Sequence, residues 1–428
     1  MKKLLLLLVL PALLPACGRG RLRPDTIERR SEQVLELAGS GHADQAWREY
    51  SELARESRRQ HPDLLVQVAT GILSEALAAE QPAMRLDAVN ALRYADTRFA
   101  FKSAIEKLDD DDIELKVAAV ELLRLLGRTG TVRILQPVLN ELAAPAAFVA
   151  TPESRAAELL LMHVAWTMAA LGEKGMPVAP AVNSMSSPDP RIRVAAARAL
   201  EEFLNSDALP SLTYGMESDV DWSVQFASAQ ALLKFRRTQL VDSFATVAAE
   251  SGIPQRVTWA VEMRKKHGLG PAPEWLVGVA SYNSSDAVRS AVALALGQMH
   301  FEEAKPRLEE MLLNLEPEVQ VSAAYALVLM GDTGKLSVLK QLARGPKPEG
   351  RELSITYLAA LDPKKHYKMF QAALNDPDPR VRLAALMPLK EFSLDRTIYD
   401  LAPRLGDDDP NVKLAASAIV RCMKPIED

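Results

Sequence analysis

The sequence is poor in the residues that other fold classes need. Its 428 residues include only two cysteines, and aromatic residues make up 5% of the chain. A disulfide between Cys17 and Cys422, at opposite ends of the chain, is possible in principle, but Cys17 belongs to the leader described below, and Cys422 is expected to be a small buried apolar residue of the last helix. Few aromatic residues beside abundant alanine and leucine disfavour β-sheets and favour helices.

A surplus of positive charge is also missing. The formal net charge is −5 at pH 7, whereas proteins that bind nucleic acids usually carry a basic surplus. The sequence therefore predicts no nucleic-acid partner.

Recognisable catalytic motifs are absent from the sequence. The six histidines are widely separated, none is followed by glutamate, and no HExxH, CxxC, phosphate-loop or GxSxG pattern occurs. The acidic runs 109–112 and 407–409 could coordinate calcium, but both stand where a helix N-cap is expected, and capping explains them without a metal. We therefore predict that the chain is not an enzyme and binds no cofactor or metal.

The first residues, MKKLLLLLVLPALLPAC, have the form of an export leader. Two lysines precede an apolar stretch that is too short for a bilayer core of about 30 Å, which needs ~20 helical residues. Residues 1–16 are thus predicted to be a signal peptide that is removed. Leu14 to Cys17 resemble the lipobox of bacterial lipoproteins, and this resemblance implies cleavage after Ala16 and acylation of Cys17. The alternative is an ordinary secretory leader.

Residues 17–25 would then form a flexible tether to the membrane of the cell envelope. Gly18 follows the cysteine, where an aspartate would imply retention in the inner membrane, so the outer membrane is favoured. Three arginines of the tether can rest on anionic headgroups or simply keep the tether soluble: Arg19, Arg21 and Arg23.

From residue 81 onwards a short pattern recurs, and DPRIRVAAARAL from Asp189 is its clearest copy. The acid suits a helix N-cap and the proline suits the first helical position, while the apolar residues share one helical face. The residue aligned with Ile192 recurs at Met84, Leu115, Val224, Val288, Val319, Val381 and Val412. The spacing is about 31 residues or a multiple near it, so degenerate units fill the longer gaps and about eleven units are predicted.

This pattern resembles HEAT repeats, particularly the short form of the phycobilisome lyases. The resemblance implies an all-α solenoid over residues 81–428, with roughly 100 Å of stacked helices. It also implies a ladder between neighbouring repeats, formed by the residue after each anchor and the acids of the turns. The cations of this ladder would be Arg85, Lys116, Arg193, Arg289, Arg382 and Lys413, and its acids Asp112, Asp189, Asp378 and Asp409. Gln225 and Gln320, at the same place, could only hydrogen-bond.

Residues 26–80 are predicted to form an irregular helical cap that faintly resembles a tetratricopeptide repeat. Atypical end units are expected because they must cover the open end of a stack.

Two groups of residues are candidate protein-binding sites. Trp222 replaces the turn proline, so it is either an exposed anchor or packs on a neighbouring turn. Five cations end two repeat helices on one rim, where the helix dipole alone could also favour them: Arg236, Arg237, Arg264, Lys265 and Lys266.

By elimination, we expect a membrane-anchored scaffold that binds unidentified proteins of the cell envelope. The alternatives are a pilot lipoprotein of a secretion or motility machine and, by fold analogy alone, an enzyme like the bilin lyases.

Overall fold

The computed structural model describes residues 22–143, 151–173, 175–270 and 272–423. The predicted all-α fold is confirmed, since these residues form 24 α-helices and no β-strand. The first twelve helices are α1 Pro24–Gly39, α2 Ala43–Ser57, α3 Pro62–Leu77, α4 Pro82–Ala91, α5 Thr97–Glu106, α6 Ile113–Leu126, α7 Thr131–Leu142, α8 Pro152–Ala170, α9 Ala179–Ser184, α10 Pro190–Phe203, α11 Leu209–Ser218 and α12 Trp222–Lys234. The remaining twelve are α13 Thr238–Glu250, α14 Pro254–His267, α15 Pro273–Tyr282, α16 Asp286–Gln298, α17 Lys305–Met311, α18 Pro317–Leu329, α19 Leu336–Leu342, α20 Pro348–Leu361, α21 Pro363–Ala373, α22 Pro379–Leu386, α23 Leu394–Leu401 and α24 Pro410–Met423.

The helices pair as antiparallel hairpins, and from α3/α4 onwards the second helix of each hairpin packs on the second helix of the next. The eleven predicted units correspond to the hairpins from α3/α4 to α23/α24, and α1/α2 is one hairpin more. Local chemistry sets the helix ends. The Asp189 carboxylate accepts a hydrogen bond from the Arg191 N–H at 2.8 Å, and Gly127 ends α6 at φ 58°, a conformation that glycine adopts without strain.

Arginines link neighbouring hairpins through a repeated contact. Arg193 donates to both carboxylate oxygens of Asp219 at 2.8 Å and to the Ser187 carbonyl at 2.8 Å. The hydrogen bonds that Arg193 donates to this carboxylate raise the pKa of Arg193, although burial alone would lower it. Arg351 and Arg382 make the same paired contacts with Asp376 and Asp407. We call each such arginine–aspartate contact a rung.

The acids of these rungs are not the predicted ones. Each rung aspartate lies two residues before the N-cap, where it also accepts the N-cap's own N–H, as Asp110 does beside Arg85. The predicted acids cap helices instead, and they are Asp112, Asp189, Asp378 and Asp409. A turn such as the one before α6 holds two acids, and only the earlier of them, Asp110, contacts the arginine of the preceding repeat.

Three further ladder positions depart from the regular rung. Arg289 binds the Asn283 carbonyl and Asp286 of its own helix, since the next turn offers Asn314 in place of an aspartate. Gln225 and Gln320 keep only the bond to a carbonyl six residues earlier, at 2.6 Å in both. The turn that would serve Lys116 lies among residues 144–150, outside the described residues.

The array closes on itself. The last helix, α24, packs along α3 and α4, and the 3₁₀ turn Ala402–Gly406 contacts α2. The Trp47 indole N–H donates to the Ala402 carbonyl at 3.1 Å, and the buried Arg421 pairs with Asp96 at 3.0 Å. Lys413, at the last ladder position, pairs with Asp44 of α2. We call this contact region the seam.

Closure corrects the expected open stack of roughly 100 Å. The segment predicted as a cap joins both ends because α3 is apolar nearly all round, with Leu64, Leu65, Val68, Ile72 and Leu73 among its buried residues. A helix of that kind needs neighbours on every side, and α24 supplies one of them. The result is a ring of hairpins.

The ring has two faces. A rung joins the start of one second helix to the turn that precedes the next second helix, as Arg193 of α10 contacts Asp219 before α12. The starts of successive second helices therefore lie side by side, and these helices run in the same direction. All turns within hairpins therefore lie on one face, called here the hairpin-turn face, and all connections between hairpins lie on the other, the linker face. A second helix such as α12 separates the faces by about 20 Å. Within the described ranges no helix is long and apolar enough to cross a bilayer.

Candidate functional site

The hairpin-turn face carries a run of exposed apolar side chains. They occur in four successive hairpins, from α11/α12 to α17/α18, on the side of the ring opposite the seam. The exposed fractions are 96% for Val220, 45% for Trp222, 41% for Ile253, 91% for Tyr282, 84% for Leu313 and 89% for Leu315. Val220 and Leu315 stand directly before an N-cap residue, a place that holds proline or aspartate in several other hairpins, as in Asp376-Pro377-Asp378. We call these six residues the apolar run.

A row of aromatic rings runs inward from Trp222. Its ring centroid lies 5.2 Å from that of Phe226, which stacks on Trp259 at 4.7 Å with 3° between the planes. Phe244 then meets Trp259 edge-on at 5.3 Å. Among successive second helices from α4 to α24, α12 and α14 make the sparsest contact in the described chain, and these rings lie at the interface between them. We call this interface the aromatic joint.

The predicted basic group lies on the linker face, so the structure does not bring it together with Trp222. Arg236 and Arg237 are exposed, and with Tyr214 they line an open groove of about 900 Å³ between α11 and α13. The other three cations are already engaged. Arg264 donates to the Gly268 carbonyl at 3.0 Å, and the two lysines that follow it, Lys265 and Lys266, pair with Glu262.

The acidic side chains of runs 109–112 and 407–409 form hydrogen bonds that stabilise the turns before α6 and α24. Asp110 and Asp407 accept rung arginines, and Asp112 and Asp409 cap helices. No group of three or more histidine, cysteine, aspartate or glutamate side chains lies close enough to hold a metal ion in the part of the chain that the structure describes.

The two cysteines differ in what the structure says of them. Cys17, Ala16 and most of the predicted tether lie outside the described residues. Cys422 is exposed at the end of α24, and the expectation that it is buried was wrong. The apolar side of α24 packs into the seam through neighbours such as Ile419 and Val420, which leaves Cys422 on the outer side.

Sequence reasoning singled out Trp222, which the structure leaves partly exposed, but not the other five residues of the apolar run. The signal was available in the turns. Leu315 stands directly before the N-cap residue, where other repeats hold Asp111, Pro188, Pro346, Pro377 or Asp408. Aligning turn residues, rather than helix anchors alone, would have found this run.

Two of the solved structures that resemble the chain do so at low identity. The complex of CpcE and CpcF of phycocyanin lyase from Nostoc sp. PCC7120 is 18% identical, covering 74% of this chain and 93% of that one, with a TM-score of 0.24. A mutant of Kap121p is 13% identical, covering 93% of this chain and 45% of that one, with a TM-score of 0.34.

One curated relative bears on activity. Deoxyhypusine hydroxylase of Arabidopsis thaliana is 41% identical over 86 residues, which are 19% of this chain and 27% of that protein. The chain thus matches about a quarter of the relative's length. Because that relative is an enzyme, the match contradicts our prediction that the chain is not one.

The family itself follows from the repeats. The model described as HEAT repeats matches residues 156–262, 273–352 and 337–420, which together are more than half of the chain. The chain belongs to the HEAT-repeat family.

Proposed function

We propose that the protein is a ring-shaped scaffold of the bacterial cell envelope, held at a membrane by acylated Cys17, that binds another protein through the apolar run. The observation that carries the proposal is the concentration of six exposed apolar side chains in four neighbouring turns. Patches of this kind on a folded protein mark interaction sites, and burying a large apolar side chain contributes about 1.5–3 kcal/mol. Trp222 and Tyr282 are of the residue types that anchor interfaces.

The charge around the apolar run indicates the chemistry of the partner. Glu217, Glu250 and Glu318 lie in or beside the same turns, which also hold Arg256 and the paired Arg289, so acids outnumber cations at the rim of the surface. We expect a protein that presents an apolar patch bordered by lysine or arginine, because complementary charge speeds encounter and sets orientation. A pilot protein for an envelope machine would be a special case of this scaffold.

The test compares two triple variants by crosslinking in intact envelopes and quantitative mass spectrometry. Tyr282→Ser, Leu313→Ser and Leu315→Ser remove half of the apolar run. The control, Leu125→Ser, Tyr214→Ser and Tyr399→Ser, removes side chains that are 60%, 68% and 63% exposed elsewhere. A partner that the wild type and the control retain and the first variant loses is the expected result. Equal recovery with both variants would refute the binding surface.

Membrane attachment has its own test. Cys17→Ser should release the protein from the membrane fraction, and the intact mass of the wild-type protein should include acyl chains. A protein that stays in the membrane after this substitution would contradict the anchor.

A second candidate function is a hydroxylase activity like that of the relative, favoured by the 41% identity over the shared segment. The HEAT-type hydroxylases hold iron with His-Glu pairs, and the residues of this chain do not fit such a site. None of its histidines precedes a glutamate, and the described residues contain no metal-binding group. Incubating the purified protein with a deoxyhypusine-containing substrate, with and without added iron, tests the activity. A mass gain of one oxygen atom would establish it.

A further inference from the structure

One sector of the linker face, beside the seam, carries three arginines at the end of α2. Arg55, Arg58 and Arg59 are exposed, and within the described ranges their side chains make no ion pair or hydrogen bond. They line a groove of about 470 Å³ between α2 and the helix α23, with Tyr399 on the opposite wall. Arg264, at the end of α14, is instead engaged by the Gly268 carbonyl at 3.0 Å, whereas Arg236 and Arg237, at the end of α12, are exposed like these three arginines.

The described chain begins on this same face. Arg30 of α1 pairs with Glu49, Glu52 and Glu56 of α2, as expected for antiparallel helices that share a short turn. The start of α1 at Pro24 therefore lies beside the end of α2, where the three arginines are. A chain from Cys17 to Pro24 reaches about 25 Å at full extension.

From this placement, we infer that the arginine end of the seam groove rests on the anionic lipid headgroups of the membrane that holds the protein. The inference depends on the proposed anchor at Cys17, which would keep these arginines within about 25 Å of the bilayer. Guanidinium groups pair readily with phosphate, and a basic cluster next to a lipid anchor is attracted to an anionic membrane.

The inferred contact sets the orientation of the ring. The apolar run lies on the hairpin-turn face and in hairpins opposite the seam, so it points away from the membrane and towards the proposed protein partner. The two surfaces are then used at the same time, one for the lipid and one for the protein.

Cys422 provides a reporter for the test. It lies at the seam on the linker face, because its neighbour Arg421 pairs with Asp96 at the start of α5. The acylated protein is placed in phosphatidylglycerol vesicles that carry a headgroup-located quencher, with a fluorophore on Cys422. The comparison label is on Leu315→Cys in a Cys422→Ser background, on the hairpin-turn face.

We expect quenching at position 422 and none at position 315. Each cation near such a surface strengthens binding roughly fivefold, so Arg55→Gln, Arg58→Gln and Arg59→Gln together should lower the equilibrium constant for docking roughly 100-fold. The matched control, Arg236→Gln, Arg237→Gln and Lys266→Gln, removes the same charge from the same face across the ring and should leave quenching unchanged. Vesicles of phosphatidylcholine should give little quenching at either position.

Three results would overturn the inference: stronger quenching at 315, equal quenching in the two lipids, or equal loss in the two triple variants. An acidic protein as the true occupant of the groove would leave position 422 unquenched. The intact mass of the protein is measured first, so that a missing acyl chain, which would refute the anchor, is distinguished from a wrong orientation. Protein without acyl chains is then tested for charge-dependent sedimentation with the same vesicles and variants.

Discussion

The seam and the aromatic joint solve the same packing problem in different ways. At the seam, residues from the two ends of the chain belong to one continuous hydrophobic cluster that includes Val34 and Val420. At the aromatic joint, helices that are close in sequence touch sparsely, and Gln225 stands where a rung would need arginine. Closeness along the chain therefore does not decide how firmly two repeats are joined; the available apolar surface and the rung chemistry do.

The difference has a consequence for motion. A repeat array is stabilised by contacts between nearest neighbours, and a closed ring can open only where one of those contacts fails. The seam has a buried ion pair and a tryptophan to hold it, whereas the aromatic joint lacks a rung. We expect the ring to flex first at the aromatic joint, which lies among the turns of the apolar run.

The largest effect is expected from breaking the seam. Arg421→Met leaves the buried Asp96 without its partner, and such a loss costs about 3–5 kcal/mol. The ring should open as well as lose stability, so chemical denaturation and small-angle scattering should both change. Arg396→Met is the control, since Arg396 lies over aromatic rings, as Arg421 does over Phe99, but is exposed. Loss of stability in a ring that stays closed would show that the pair supports α24 alone.

A smaller loss is expected at the aromatic joint. Phe226→Ala removes a ring that is 9% exposed and stacked on Trp259, and core phenylalanine truncations cost about 3–5 kcal/mol. We expect a loss at the lower end of this range, because the sparsely packed helices α12 and α14 can move together and reduce the cavity. Hydrogen exchange should quicken in α12 and α14 and remain unchanged in α3 and α24. Quicker exchange all round the ring would contradict the independence of the two regions.

The joint can also be strengthened. The spacing from Gln225 to Ser251 matches that from Arg193 to Asp219, and the Ser251 hydroxyl accepts the Ile253 N–H at 3.3 Å, as a rung aspartate would. Gln225→Arg with Ser251→Asp should therefore build a rung and add about 1 kcal/mol beyond the sum of the single changes. A double-mutant cycle measures this coupling, and a value of zero would mean that the joint is too wide for a rung.

The sequence predicted the repeats well and their assembly poorly. Anchors such as Ile192 and rung arginines such as Arg193 follow from local periodicity, because one helix face must meet its neighbour. The prediction placed each rung acid two residues too late, because Asp110 and Asp112 both suit a turn and only the folded geometry separates their roles. Closure of the ring depends on small rotations that add up over many repeats, and no single residue encodes them. The apolar character of α3 was the one local sign.

The smallest effect is expected from pH, and it separates rung joints from the aromatic joint without any substitution. Burial alone would raise the pKa of Asp110, but the Asp112 N–H and the Arg85 guanidinium outweigh it and hold this pKa below its ordinary value of 3.8. A carboxylate with a lowered pKa in the folded state adds stability above pH 3.8, and this contribution is lost as pH falls through the lowered value. The loss at one rung should be about 0.5 kcal/mol.

Hydrogen exchange, corrected for intrinsic exchange rates, measures this effect. We expect faster exchange in α4 and α6 at low pH. The contact of Phe226 with Trp259 contains no ionisable group and should stay unchanged. Equal loosening at both places would mean that acid acts on the ring as a whole and that the rungs do not set its local stability.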